Sequence, residues 1–129
     1  MAGNRVVARY KDGRVVKGST TDFSPVRELL HVQTENGMVE VRHGELKAIF
    51  FVKDFAGNPE RKKTNLFPAE RPVVGHKIAV EFADGEVLVG TTIGYRPERK
   101  GFFVVPADPE GNAERCYVVT SATVAVHMD

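Results

Sequence analysis

The sequence predicts an all-β protein built from two tandem five-stranded small barrels. The first observation is an internal repeat: residues 6–18 (VVARYKDGRVVKG) reappear as residues 78–90 (IAVEFADGEVLVG), at a constant offset (84 − 12 = 90 − 18 = 72). The second is that both copies alternate apolar and polar side chains with a period of two, as in strands with one buried face. The third is that no window shows helical periodicity over about ten residues. A repeat of this length indicates that one supersecondary unit was duplicated.

Each copy begins with a strand that ends at an Asp-Gly pair, at Asp12 and Asp84. Asp-Gly favours a tight hairpin because glycine accepts a positive φ at no steric cost. We therefore predict turns at residues 11–14 and 83–86. The return strands that follow them are predicted at residues 14–21 and 86–93. Gly18 and Gly90 fall at matching places inside the return strands, where glycine indicates a bulge or a sharp bend.

Three further strands are predicted in each copy. In the first copy they span residues 29–33, 38–42 and 47–52, and in the second residues 101–105, 115–119 and 123–126. The connection between the fourth and fifth strands is short in both copies, which suits strongly bent strands that curl into a barrel. The loop at residues 106–113 contains two prolines and is expected to protrude.

The repeat divides the chain into two barrel domains, residues 1–53 and 76–129, joined by a linker at residues 54–75. The linker contains prolines, which make it stiff, and a basic cluster at residues 61–63. Its apolar side chains suggest that it is pinned against the barrels. Because each half is small enough to be marginally stable alone, we expect the two halves to pack together.

Composition excludes several classes of protein. The 129 residues carry a net charge of +1, so there is no overall nucleic-acid signature. No apolar run is long enough to span a bilayer, and the first residues lack the apolar core of a secretory signal. The single cysteine, Cys116, cannot form an internal disulfide, which fits a reducing compartment. We therefore expect a cytoplasmic protein without a membrane partner.

Residues 13–18 place two glycines five residues apart between alternating strands, and residues 85–90 repeat this spacing. This pattern resembles the first motif of the Sm and Sm-like proteins, which are small five-stranded barrels that bind RNA. A Src-homology-3-like barrel satisfies the same pattern. The loops at residues 22–25 and 94–97 lack the asparagine with which Sm proteins receive a base, so the resemblance does not extend to uridine binding.

A second, partial resemblance is to PilZ domains, which bind cyclic dinucleotides. Asp22-Phe23-Ser24 resembles their Asp-x-Ser motif, and Arg5 and Arg9 have the spacing of their paired arginines. Guanidinium groups clamp phosphates, while Asp and Ser hydrogen-bond to the ligand. The resemblance implies a nucleotide site at Arg5, Arg9, Asp22 and Ser24. The glycine expected after Ser24 is missing, and the second copy has neither motif.

Over nearly its full length, the chain resembles an uncharacterised bacterial family of tandem small barrels, sometimes found beside PilZ or signalling domains. The resemblance rests mainly on residues 85–95 and 101–109. It implies no known activity.

The sequence contains no recognisable catalytic or metal-binding constellation. Its four histidines, at positions 31, 43, 76 and 127, do not have metal-ligand spacing. Cys116 has no histidine placed to activate it, and there is no Gly-x-Ser-x-Gly motif or phosphate loop. We therefore expect that the protein is not an enzyme and uses no cofactor.

Equivalent loops of the two copies share a further pattern, with an aromatic residue two positions before proline and an arginine two positions after it. An aromatic ring beside cationic groups can receive a base, a proline-rich peptide or an acidic segment. The predicted ligand- or partner-binding residues are Phe23, Arg27, Tyr95, Arg96 and Arg99. The alternative is that Phe23 and Tyr95 cap the barrel cores.

The sequence therefore predicts a non-catalytic binding or adaptor module associated with bacterial signalling or regulation. It would act through these loops or through an open sheet edge, on a protein partner or on another copy of itself. The alternative is nucleotide or RNA binding, either of a cyclic dinucleotide at the PilZ-like residues or of RNA at the basic cluster of residues 61–63.

Overall fold

The computed structural model describes residues 3–53, 75–96, 98–107 and 113–128. It confirms the all-β prediction: these residues form ten strands and two short 3₁₀ helices, with no α-helix among them. The first half contains β1 (Asn4–Tyr10), β2 (Val15–Thr20), β3 (Leu29–Thr34), β4 (Gly37–Arg42), a 3₁₀ helix (His43–Glu45) and β5 (Leu46–Val52).

The second half repeats this order of elements. It contains β6 (His76–Phe82), β7 (Val87–Thr92), β8 (Gly101–Pro106), β9 (Ala113–Val119), a 3₁₀ helix (Thr120–Ala122) and β10 (Thr123–Met128). The predicted linker, except Gly75, lies outside the described residues, as does most of the predicted loop at residues 106–113.

All ten strands belong to one antiparallel sheet, in the order β10-β6-β7-β8-β9-β5-β1-β2-β3-β4. Within each half the fifth strand lies beside the first, so both halves have the same strand order. The halves meet where β5 pairs with β9, with Ile49 opposite Tyr117 and Phe51 opposite Arg115. The sequence predicted two barrels, but the ladder is continuous and open because β5 has β1 on one side and β9 on the other.

The core consists of two apolar clusters that share the strands of this joint. Phe50 and Cys116 belong to one cluster, which contains mainly second-half residues. Ile49, Phe51 and Tyr117 belong to the other, which contains mainly first-half residues. Successive side chains of a strand point to opposite faces, so β5 and β9 are buried on both. Full burial of one large apolar side chain contributes about 1.5–3 kcal/mol, so this joint is a major source of stability.

The matching glycines Gly18 and Gly90 lie where the backbone of β2 or β7 closely approaches its neighbour. A Cβ at Gly18 would overlap the carbonyl oxygen of Gln33 on β3, and a Cβ at Gly90 would overlap that of Val105 on β8. The ladder between β2 and β3 is short, and its register places Ser19 opposite Gln33. Both glycines are therefore required by close approach of backbone to backbone.

One charged contact fixes the second Asp-Gly turn to the first half. The ammonium of Lys47 on β5 lies 2.7 Å from the Asp84 carboxylate and also pairs with Glu86. The Lys47 side chain is only 9% exposed, and its ammonium lies 4.7 Å from the centre of the Phe82 ring. Burial disfavours the charged form of Lys47, but hydrogen bonds to Asp84 and Glu86 outweigh it and raise its pKa.

We expect that Gly18→Ala and Gly90→Ala each lower the free energy of unfolding by about 1–3 kcal/mol, because the added methyl group displaces the neighbouring strand. The matched control is Gly44→Ala, since a Cβ at Gly44 meets no atom within 4 Å. Urea unfolding followed by circular dichroism measures all three. Equal stability of the three variants would contradict the close approach.

The double variant Asp84→Asn with Glu86→Gln leaves the buried Lys47 charge without its ion pairs. We expect it to lower the free energy of unfolding by about 1–3 kcal/mol. Lys47→Met removes the charge at similar volume and is expected to cost less. Asp12→Asn, at the matching first turn, is the control: its partner Arg14 is 62% exposed, so solvent screens this pair and its loss is expected to cost less than the double variant. A Lys47→Met variant less stable than the double variant would refute this ordering.

Candidate functional site

A cleft of about 1040 Å³ lies where the two halves meet. The first half lines it with the loop between β2 and β3 and with its 3₁₀ helix. The second half lines it with the end of the loop between β7 and β8, with Tyr117 and Val119 of β9 and with its own 3₁₀ helix. The lining residues are 22, 25–29, 31, 42–45, 98–100, 117 and 119–121.

An ion pair crosses the cleft between Glu28 and Lys100, at 2.8 Å. Hydrogen bonds to the sheet position both residues: the His43 N–H donates to the Glu28 carbonyl and the Thr120 N–H to the Lys100 carbonyl, each at 2.9 Å. The Thr120 hydroxyl also donates to the Arg99 carbonyl at 2.8 Å. The Lys100 ammonium lowers the pKa of the Glu28 carboxyl, so this pair is charged at neutral pH.

The cleft-lining rings of His43 and Tyr117 form an aromatic base and pack around Phe23, which is not itself in the lining. The Phe23 ring stacks on His43, with centroids 5.6 Å apart and an angle of 21° between the planes. It also meets Tyr117 edge-on at 5.1 Å and Phe103 edge-on at 5.9 Å. Edge-to-face contacts of this kind are favourable beyond their apolar area. The base therefore contains rings from both halves.

His43 is a buried cleft residue for which the structure describes no hydrogen-bond partner at one ring nitrogen. Its side chain is buried, and its Nε2 atom has no hydrogen-bond partner among the described residues. Burial lowers the pKa of His43, with the Glu28 carboxylate acting in the opposite direction. The ring is therefore neutral at pH 7. Burial likewise raises the pKa of Tyr117, against the effect of Lys100.

At one edge of the cleft, the carboxylate of Asp22 is held by β3. Its oxygens accept a hydrogen bond from the His31 backbone N–H at 2.9 Å and lie 2.7 Å from His31 Nδ1. The Thr20 hydroxyl donates to it at 3.0 Å. Burial raises the pKa of Asp22, but these hydrogen bonds outweigh burial and lower it overall. Hydrogen bonds therefore hold the Asp22 carboxylate in place beside His31, and both side chains line this edge of the cleft.

The structure places two of the five predicted loop residues, Arg27 and Arg99, in the lining of the cleft, and Phe23 packs against the lining residues His43 and Tyr117. Tyr95 instead packs edge-on against Phe102 at 4.6 Å, beside the second-half core. The neighbouring proline, Pro97, lies outside the described residues.

Arg96 is not among the cleft-lining residues, and its guanidinium lies 3.9 Å from the carboxylate of Glu98. The equivalent loops therefore differ in position. Asp22 and residues 25–28 of the first-half loop line the cleft, whereas only residues 98–100 of the second-half loop do so.

The predicted nucleotide-binding residues are Arg5, Arg9, Asp22 and Ser24. The Arg5 guanidinium donates to the carbonyl of Lys53, and the Arg9 guanidinium lies 5.6 Å from the centre of the Phe50 ring. Asp22 is engaged by His31, as described above. Each of these three side chains therefore has a different partner, and the described contacts do not bring them together around one ligand position.

Sequence reasoning missed the partners that cross between the halves, namely Glu28, Lys100, His43 and Tyr117. The spacing of the histidines argues against a metal site, and the described residues contain no cluster of His, Cys, Asp or Glu that could hold a metal ion. Nor do they contain a helix of the length and apolar character needed to cross a membrane.

Comparison with known proteins identifies a family for this chain but no function. Residues 2–128 match the family described as "Family of unknown function (DUF6982)". No curated protein and no solved structure gives a significant match. The match confirms the resemblance to an uncharacterised family, while the comparisons provide no support for a resemblance to Sm-like proteins or PilZ domains.

Because the pKa of His43 is lower in the folded chain than in the unfolded one, its contribution to stability is present above about pH 6.5 and lost as the pH falls. We therefore expect His43→Phe, which keeps an aromatic ring beside Phe23, to gain stability relative to the wild type between about pH 7 and pH 5. Urea unfolding at several pH values measures this difference. Parallel stability curves for the two proteins would contradict the assignment.

Proposed function

Since the chain belongs to DUF6982, a family of unknown function, we propose its function from the geometry of the cleft. The protein is a non-catalytic binding module that receives an extended segment of a protein partner. The observation that carries this proposal is the convergence of the first-half loop, the second-half loop and an aromatic base in one cleft.

The size of the cleft supports a polypeptide ligand. Sites for small molecules occupy about 300–1,000 Å³, and this cleft, at about 1040 Å³, slightly exceeds that range. It lies across a joint between two units, which is a common location for binding sites. A segment of several residues fits such a volume, with an apolar or aromatic side chain directed at the rings around Phe23.

The charges of the cleft support the same conclusion. Four cationic and four acidic side chains line it: Arg27, Arg42, Arg99 and Lys100, with Asp22, Glu28, Glu45 and Glu98. Nucleic-acid sites depend on an excess of positive charge that displaces counterions from phosphates. A balanced lining suits a partner that carries both acidic and basic side chains, as a protein segment does.

We also propose that the two halves derive from duplication of one five-stranded, barrel-like unit. The support is the sequence repeat, the identical order of elements and the identical strand order in the two halves. Duplication would explain why loops with the same aromatic–proline–arginine spacing lie on both sides of a single cleft. A role in bacterial signalling or regulation remains part of this proposal.

Selection from a random peptide library on the immobilised protein tests the binding function. We expect selected peptides to lose at least about tenfold in affinity for Arg27→Glu and Arg99→Glu, because each substitution reverses a charge on the cleft wall. Arg96→Glu is the matched control, since Arg96 lies in the same loop region but not in the lining. Peptides that bind all three variants equally would refute the cleft as the site.

Calorimetric titration with cyclic dinucleotides and with a single-stranded RNA tests the alternative function. We expect no heat of binding, because the described contacts give Arg5, Arg9 and Asp22 separate partners. Saturable heat that is abolished by Arg9→Ala would replace the peptide proposal with the nucleotide one.

A further inference from the structure

We propose that copies of this chain join head to tail, with β4 of one copy pairing with β10 of the next. This inference does not depend on what the cleft binds. It rests on a comparison between the joint inside the molecule and the two outer strands of its sheet.

The internal joint pairs the fifth strand of the first half, β5, with the fourth strand of the second half, β9. The outer strands of the sheet are β4 and β10. These are the fourth strand of the first half and the fifth strand of the second half. Each molecule therefore presents, at its two edges, the counterparts of the two strands that it already pairs internally.

The backbone of β4 offers the same groups that β9 uses in the internal joint. The His43 N–H donates inward to the Glu28 carbonyl. Because N–H groups alternate in direction along an antiparallel strand, those of Met38 and Glu40 point away from β3. The two 3₁₀ helices are offset by 77 residues (120 − 43 = 77). This offset makes Glu40 the counterpart of Tyr117, which lies opposite β5 in the joint.

The same offset predicts the register between copies. In the internal joint, Phe51 lies opposite Arg115. Their counterparts are Met128 on β10 and Met38 on β4, so Met128 of one copy is placed opposite Met38 of the next. Both methionines are large apolar residues exposed in the monomer, Met38 at 61% and Met128 at 41%. Pairing would cover both.

Neither outer strand carries the residue types that usually protect an edge. Natural edge strands are commonly guarded by lysine, proline or a bulge that turns the edge away. β4 (GMVEVR) and β10 (TVAVHM) contain no lysine or proline. The register of β10 against β6 shifts between Thr123 and Ala125, and the pairing is regular from Ala125 to Met128, the part of β10 that includes the proposed contact. On β10, Val124 is also 62% exposed. The edges are therefore suited to strand addition.

The contact between copies is weaker than the internal joint. Phe50, Phe51 and Tyr117 of the internal joint correspond to His127, Met128 and Glu40, so the aromatic side chains are absent. Association is therefore concentration-dependent. Because the two surfaces differ, each added copy leaves one free edge of each kind, and growth ends only when a ring closes.

Sedimentation velocity over about a hundredfold range of protein concentration tests this assembly. We expect the average mass to rise above the 14.2 kDa of one chain as concentration increases. Met38→Glu alone and Met128→Lys alone place an unpaired charge in the contact and weaken association by about tenfold or more. The double variant restores it, since the two charges then lie opposite one another.

Val15→Glu is the control, because Val15 is 44% exposed but lies on the interior strand β2. It should associate like the wild type. A protein that stays at 14.2 kDa at every concentration would overturn the proposal. So would a closed dimer whose stability is unaffected by either methionine substitution.

Hydrogen exchange at the Glu40 amide provides a second measurement. We expect fast exchange in dilute monomer and slow exchange in concentrated samples, because pairing with β10 of another copy protects this outward N–H. Slow exchange at every concentration would show that another segment of the same chain covers β4. That result would also overturn the proposal, whereas the peptide-binding experiment is independent of it.

Discussion

The pairing of β5 with β9 is the constraint on which the rest of the structure depends. It converts two edge strands into interior strands, so residues such as Phe50 and Tyr117 are buried on opposite faces of one ladder. Each cluster then includes side chains from both halves, which makes neither half's core complete alone. The cleft exists because this pairing brings the loops of the two halves together, and the Glu28–Lys100 ion pair crosses the boundary only in that arrangement.

Local features of the fold could be predicted from the sequence. The Asp-Gly turns and the alternation of β1 and β6 reflect interactions between residues close along the chain. The sequence singled out Gly18 and Gly90 as sites of a bulge or sharp bend, but their cause is the close approach of the backbone at Gln33 and Val105 on the next strand. The joint could not be predicted in this way, because it links β5 to a strand more distant than any local pattern covers. One signal was present: residues 48–52 (AIFFV) are continuously apolar, which indicates a strand buried on both faces.

The site was predictable only in part, and the reason is the asymmetry of the joint. The repeated loop pattern singled out Arg27 and Arg99, which line the cleft, and Phe23, which packs against the lining residues His43 and Tyr117. Repetition implied equal roles for the two loops, yet only one half can present its fifth strand to the other. The first-half loop therefore lies along the joint, whereas Tyr95 packs against Phe102 and the second-half core. The same aromatic–proline–arginine spacing thus acquires different surroundings in a head-to-tail arrangement.

His43 and its counterpart in the second half differ in how well their polar side-chain atoms are satisfied. Its counterpart in the second half is Thr120, whose hydroxyl donates to the Arg99 carbonyl and so has a partner. His43 Nε2 has none among the described residues, and an unsatisfied buried polar atom costs about 1–3 kcal/mol. Such a cost is expected where local stability is subordinate to binding. Among the described residues, His43 Nε2 is the buried side-chain atom without a hydrogen-bond partner, and it belongs to a residue that lines the cleft proposed as the binding site.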